Sequence, residues 1–427
     1  MWLFSKNRRK QDGFAELLNY SHMVAPEVMG LKNGGFLAGF WLTGPDIESS
    51  TAQELEHLSE MMARTVNQLD TRWCIHFEFF RREAHNYPNG NFKETTTQLI
   101  DEERHLQFKE EGGHFESIQS IFITYVPSNF EKNRWFQRIK KFLFGSDSEN
   151  DESIVEKRLE RFEEVLRTLK DSLSLIMRVR RMTFHPDPVP DPFSGTSEIL
   201  EVVNACVNGR WHPVRLPAFP YYLDCTLARD CINGEQLEYN NEYIQCVSLV
   251  NYSAGTFPAI LSALQTLPVS FRWSNRFIMT DMREAMGQIE TKRRQWAQKI
   301  RSLFSQITGL QTTRVNQDAV AMVEDLDNAL QDAHSGEVAF ANHTSTVILR
   351  STNLETLEES AREVVKIFER AGLGARIETI NNFEAFLGSL PGHGKENVRK
   401  PLLTSFNFAD IVPLSNDWIG DKYCPCP

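Results

Sequence analysis

The chain has 427 residues, of which 41% are hydrophobic and 24% charged, and a formal net charge of −11. This length exceeds one typical domain and predicts two or three units, each able to bury a core of its own. The acidic balance argues against broad nucleic-acid binding, because a phosphate-tracking protein carries a basic excess or a basic face, so no direct nucleic-acid ligand is expected.

The longest apolar runs, such as Ile118–Val126, are too short to cross a bilayer, and no transmembrane segment is expected. The opening MWLFSKNRRK sets a basic cluster behind a short apolar cap, too short for a secretory signal, which predicts a cytoplasmic location. Seven cysteines without a C-x-x-C pair fit reduced thiols better than a disulfide framework. The close pairs Cys225/Cys231 and Cys424/Cys426 read as incidental thiols before metal ligands.

In chain order, Phe36–Leu42 reads as a strand. Thr51 and Glu54 form a capping box opening a helix to about Leu69, and Trp73–Phe80 reads as a second strand. Trp73, Ile75, Phe77 and Phe79 alternate with Cys74, His76, Glu78 and Phe80, the period of a half-buried strand. A helical insert is predicted at about Thr97–Glu111, then a strand over Ile118–Val126. Residues 130–144 are the one basic and aromatic segment, with Lys132, Arg134, Arg138, Lys140 and Lys141 among Trp135, Phe136, Ile139, Phe142 and Leu143. Two readings stand: a helix contacting a partner or an anionic membrane surface, and a solvated insertion beside the acidic loop 145–152. Val155, Leu159, Phe162, Leu166, Leu169, Leu173 and Ile176 repeat at helical spacing, which predicts one long helix, packed on a sheet or paired in a coiled coil. Arg178–Phe184 closes the first unit as a strand.

Pro186, Pro188, Pro190 and Pro192 then predict an extended linker, so 1–185 is read as one unit and 186–242 as linker and connecting segment. A helix is expected at about Thr196–Val207. A strand follows at Tyr243–Tyr252, then a helix from a Thr256 cap to Leu267 and a strand at Val269–Met279. A helical hairpin is read over 281–334, a strand or hairpin over Glu337–Arg350, an amphipathic helix over Leu354–Ala371 and a last strand over Arg376–Ile380. Each half thus reads as β-α-β-β-α-β. The expected fold class is α+β, two ferredoxin-like units in tandem, the second over 243–382 with the hairpin inserted.

The remainder, 383–427, is broken by Pro391, Gly392, Gly394, Pro401, Pro413, Gly420, Pro425 and Pro427, yet carries Leu402, Leu403, Phe406, Phe408, Ile411 and Trp418. It reads as a strap that packs on the second unit or belongs to a further domain, in a chain that has been cut. The run PGHGKENVRKPLLTSFNFADIVPLSNDWIG resembles the segment preceding the phosphate-binding loop in the TrbE-like family of conjugal-transfer ATPases (CagE/TrbE/VirB components) of type IV secretion systems. LLNYSHMVAPEVMGLKNGGFLAGFWLTGPDIESS (Leu17–Ser50) and DEERHLQFKEEGGHFES with ITYVP (Asp101–Pro127) are similar to the family's N-terminal half in content and order.

The resemblance implies an assembly or docking part of a secretion ATPase that energises substrate export or pilus assembly. It implies inner-membrane components and like subunits as partners, a peripheral place at the inner membrane, and ATP with Mg²⁺ as ligands of the full-length protein. Pro391, Gly392, Gly394, Asn397, Arg399 and Trp418 fall in the family-like run without an assigned role. No cofactor site is expected within the chain. Its single Gly-Lys pair, Gly394-Lys395, has Ser389 and Glu396 where a phosphate loop needs glycine and Ser or Thr. No H-E-x-x-H, G-x-S-x-G or G-x-G-x-x-G occurs, and pairs such as Glu102/Glu103 read as solvated charge, so no catalytic or metal residue is singled out. The other reading is an enzyme fragment whose nucleotide site is completed by a missing domain or a neighbouring subunit.

Overall fold

The computed structural model describes residues 13–47, 49–84, 87, 90, 92–111, 113–127, 149–188, 194–216, 222–252, 255–300, 327, 338–394, 396, 399 and 401–415. The first half contains α1 (Phe14–Leu17), β1 (Tyr20–Ala25), β2 (Val28–Leu31), β3 (Phe36–Thr43), α2 (Ala52–Val66), β4 (Trp73–Glu83), α3 (Thr95–Glu111), β5 (Phe115–Tyr125), α4 (Glu149–Leu173) and β6 (Arg178–Arg181). A connecting region follows with β7 (Phe184–Pro186), β8 (Gly195–Ser197), α5 (Glu198–Asn208), β9 (Arg215–Leu216), α6 (Leu223–Leu227), β10 (Cys231–Asn233) and β11 (Leu237–Tyr239). The second half has β12 (Glu242–Asn251), a 3-10 helix (Ser262–Thr266), β13 (Phe271–Met279), α7 (Met282–Ile300), β14 (Phe340–Ser351), α8 (Leu354–Arg370) and β15 (Gly374–Ile377). The C-terminal stretch adds α9 (Asn382–Gly388), β16 (Leu402–Thr404) and α10 (Ser405–Ile411).

Thirteen strands form one sheet. Within it β6-β3-β5-β4 are neighbours, as are β15-β12-β14-β13, both in the order fourth, first, third, second of their own set, and all these pairings are antiparallel. The sets meet where β4 pairs with β13, from Arg81↔Phe271 to Cys74↔Ile278. The meeting is dry on one face: Phe79 contacts Phe271 and Trp273, with centroids 5.9 and 6.3 Å apart. Helices α2 and α4 cover that face over the first set and α8 over the second. The Thr51–Glu54 capping box forms as the sequence predicts, with both reciprocal bonds present, and α4 packs Phe162, Leu166, Leu169 and Leu173 on the sheet.

Three features differ from the sequence reading. Residues 20–31, not read as strands, form a hairpin at one end of the sheet. The helix expected from Thr256 to Leu267 is the short 3-10 helix instead, because the Thr256 hydroxyl that would cap it donates to Asp410 Oδ2 at 2.6 Å. Within the expected linker, α5 buries every residue from Ile199 to Asn208 except Glu201, so this part is core rather than spacer. The return arm of the hairpin expected over 281–334 lies almost wholly outside the described residues.

The C-terminal stretch changes faces of the sheet. Residues 389–401 run over the face opposite α2, α4 and α8. β16 then enters the sheet plane beside β14, pairing Phe340↔Thr404 to Asn342↔Leu402. α10 finishes against α2 on the helix face, where Phe408 stacks on Phe277 with centroids 4.7 Å apart. Of the five apolar residues expected to pack, Phe408 and Ile411 are buried, Leu402 and Leu403 half-buried, and Phe406 is 39% exposed. Phe408→Ala is therefore expected to cost about 3–5 kcal/mol and Phe406→Ala under about 1 kcal/mol in urea denaturation.

Candidate functional site

The candidate site is the polar face of the sheet centre together with the strap that covers it. Strand alternation puts His76 and Glu78 of β4, Arg272, Ser274 and Arg276 of β13, and Thr344 and Thr346 of β14 on one face, in register across the seam: Glu78↔Ser274↔Thr346 and His76↔Arg276↔Thr344. A face of this composition reads as solvated, yet Glu78, His76 and Arg276 have no exposed surface and Arg272 is 5% exposed.

Each charge is met by a specific group. Arg272 donates from Nη1 to Glu78 Oε2 at 2.9 Å and to the Ser389 carbonyl at 2.9 Å, and from Nη2 to Ser389 Oγ. Ser274 Oγ lies 2.6 Å from Glu78 Oε1 and 2.9 Å from the same carbonyl. Arg276 donates to the carbonyls of His393 at 3.4 Å and Glu396 at 2.7 Å. Thr344 Oγ1 donates to the Arg399 carbonyl, and the His343 amide to that of Pro401. The strap is thus held chiefly through its backbone carbonyls, a rule that tolerates many side chains above it.

Burial pushes the Glu78 carboxyl up to about 7 against the pull of Arg272 and Ser274. Burial also draws on Arg272, but Glu78 more than offsets it and holds the guanidinium above its ordinary value. The two directions conflict over how far the pair is ionised; we hold Arg272 charged, because two carbonyl-type acceptors remain on it whatever the state of Glu78. His76 is kept neutral, first by burial and then by Arg276.

The strap enters through a turn that explains part of its sequence. The His393 amide bonds to the Leu390 carbonyl at 3.1 Å, with Pro391 and Gly392 between them and Gly392 at φ 84°. Proline then glycine with positive φ is the pairing a type II turn requires, and a Cβ on Gly392 would also stand 3.0 Å from Leu31. Tyr20 Oη donates to the Pro391 carbonyl at 2.8 Å and Asn19 Nδ2 to that of Gly392 at 2.8 Å. The Asn19 amide donates to His393 Nε2, which leaves the ring proton on Nδ1, facing Glu396 Oε2 at 3.5 Å. Arg399 makes a paired contact with the buried Glu378 carboxylate, Nη2 to Oε2 at 3.1 Å. Gly394 has open space around it and no positive φ. Asn397 and Trp418 lie outside the described residues, as do Lys132, Arg134, Trp135, Phe136, Arg138, Lys140 and Lys141.

On the other face Asp410 joins the two halves. Ser59 of α2 donates to its Oδ1 at 2.8 Å and Thr256 to its Oδ2 at 2.6 Å. Burial raises its carboxyl over the opposing effect of these two hydroxyls. The sequence reading missed Glu78, Arg272, Arg276 and Asp410. The available signal was opposite charge at the same alternation on two strands, Glu78 on one and Arg272 and Arg276 on the other. Among the described residues no three His, Cys, Asp or Glu side chains gather as a metal site, and no helix is long and apolar enough to cross a membrane.

The family description "Type IV secretion system ATPase VirB4/TrbE, N-terminal domain" matches residues 27–133, and "CagE, TrbE, VirB family, component of type IV transporter system" matches residues 194–399. A conjugal transfer protein TrbE of Rhizobium radiobacter is 32% identical over 425 residues, 98% of this chain and 51% of that protein. A probable conjugal transfer protein TrbE of Sinorhizobium fredii is 37% identical over 122 residues, 28% of this chain and 82% of that protein. The chain belongs to the CagE/TrbE/VirB family. A type IV secretion system protein PtlC homolog of Bordetella bronchiseptica is 25% identical over 231 residues, 53% of this chain and 26% of that protein. The chain spans about half the length of the Rhizobium TrbE, and the second family match ends at Arg399, inside the strap.

Removing one member of the buried pair leaves the other charged and unpartnered. Arg272→Met is expected to cost about 3–5 kcal/mol, and adding Glu78→Leu to recover most of it, in a double-mutant cycle read by chemical denaturation.

Proposed function

We propose that this chain is the cytoplasmic assembly and docking part of a type IV secretion, or conjugative transfer, ATPase. In this reading it lies peripherally at the inner membrane, held by inner-membrane components of the system and packed against like subunits. The observation that carries it is the path of residues 389–415, fastened to β4, β13 and β14 on one face and to α2 and Thr256 on the other. A load applied beyond Ser415 reaches both strand sets at once. A motor domain following the strap supplies the nucleotide site, with ATP and Mg²⁺ as its ligands, and there energises substrate export or pilus assembly.

We also read each four-strand set as a ferredoxin-like unit. Support comes from the shared strand order and from α2, α4 and α8, which lie on one face as the crossovers of such units. The first crossover of the second set is only a 3-10 turn, and α10 fills space beside it.

The chain is expected to show no saturable binding of Mg-ATP up to about 1 mM in calorimetry. Saturable micromolar binding would instead favour a nucleotide site built partly from these residues.

A further inference from the structure

Helix α3 stands apart from every core cluster: none of its side chains is buried. Its inner face is Asp101, His105 and Phe108. Tyr87 donates to Asp101 at 2.8 Å and stacks on His105 at 4.8 Å, and Phe108 stacks on His114 at 4.2 Å. The opposite face presents Leu99, Glu103, Leu106 and Glu110 at spacings of four and three, flanked by Ile100 and Glu102. Leu99 and Leu106 are each 60% exposed and Ile100 50%. An amphipathic helix normally turns its leucines inward, so a leucine stripe facing out marks a contact surface. Its chemistry is apolar and acidic: the helix carries Asp101, Glu102, Glu103, Glu110 and Glu111 against Arg104 and Lys109.

The complementary chemistry is present in the same chain. Residues 129–144 carry Lys132, Arg134, Arg138, Lys140 and Lys141 against Glu131, among Trp135, Phe136, Ile139 and Phe142. We propose that the outer face of α3 binds residues 130–144 of a second copy of this chain. This rests on the assembly reading above and names one of its contacts.

Topology places the two elements at opposite ends of the first strand set. α3 is inserted between β4 and the start of β5, and residues 128–148 follow the end of β5. The far anchor of 128–148 is at that same end. Phe162 stacks on Trp73 at 5.7 Å, Trp73 is the register partner of Tyr125, and α4 continues for three turns and more on the N-terminal side of Phe162. β5 separates the two ends by about 34 Å. Residues 128–148 span on the order of 70 Å only when fully extended, which an excursion to α3 and back would consume. A contact between copies carries no such requirement. Because the two surfaces differ, the contact is head-to-tail and propagates to a ring or a filament.

The test is a charge swap between two versions of the chain, read by sedimentation velocity. Glu103→Lys with Glu110→Lys in one version, and Lys140→Glu with Lys141→Glu in the other, are each expected to weaken self-association about ten-fold or more. Mixing the two versions is expected to restore it, which a contact within one chain cannot do. Unchanged thermal midpoints exclude misfolding, as the swapped α3 positions are exposed. Self-association indifferent to both swaps overturns this contact and leaves the assembly reading standing. A wild-type chain that stays monomeric, with a synthetic 129–144 peptide that fails to bind it, overturns both. A peptide that binds anionic vesicles and not the chain overturns the contact in favour of a membrane surface.

Discussion

A sheet can be buried on both faces only if every charge on those faces meets a partner, and here one face carries Glu78, Arg272 and Arg276 at its centre. Desolvating such groups costs several kcal/mol per ion unless geometry supplies close acceptors and donors. Glu78 and Arg272 satisfy part of each other across the seam between the strand sets, and the remaining donors of both arginines need oxygen atoms from above. The carbonyls of Ser389, His393 and Glu396 supply them. Seam and strap are therefore parts of one requirement, and neither is satisfied without the other.

The same requirement unites the halves. The pairing of β4 with β13 makes one sheet of two strand sets, so the apolar clusters run across the division. Phe277, Met279 and Ala341 of the second set sit with Phe77 and Ile75 of the first, and Phe79 of the first sits with Phe271 and Trp273. Asp410 repeats the joint on the helix face, with one hydroxyl from each half. Threading the strap from one face to the other places its last described residues over this joint. There Leu414 lies so close to Gly44 that a Cβ would meet its carbonyl oxygen, and Ser415 bonds to Gln265. A chain built in this way transmits load through a packed body, in keeping with a part that anchors a motor.

Periodicity reveals the long helices because α2, α4 and α8 each lay one apolar stripe on the sheet. The strands at 36–43, 73–83, 115–125 and 271–279 are legible from alternation. The polar side of that alternation misleads: His76 and Glu78 have the composition of a solvated face, and only contacts from residues more than a hundred positions away bury them. α5 is legible as a helix, but the four prolines ahead of it suggest a spacer, whereas its nearly all-round burial needs cover from β2, β12 and α9. Thr256 shows the limit from the other side. A cap residue is recognised by the residues just after it, and nothing local indicates that Asp410 will take its hydroxyl. Pro391 and Gly392 stand out by resemblance, and a type II turn gives both a physical reason.

Native-state hydrogen exchange tests most directly whether strap and seam are one cooperative unit. The amides of His393, His343 and Ser405, which bond to Leu390, Pro401 and Ala339, are to be compared with the ladder amides of β4 and β13. Common protection, lost together in Arg272→Met, is the predicted result. Exchange of the strap amides at an opening free energy near zero, with β4 and β13 still protected, would contradict the account.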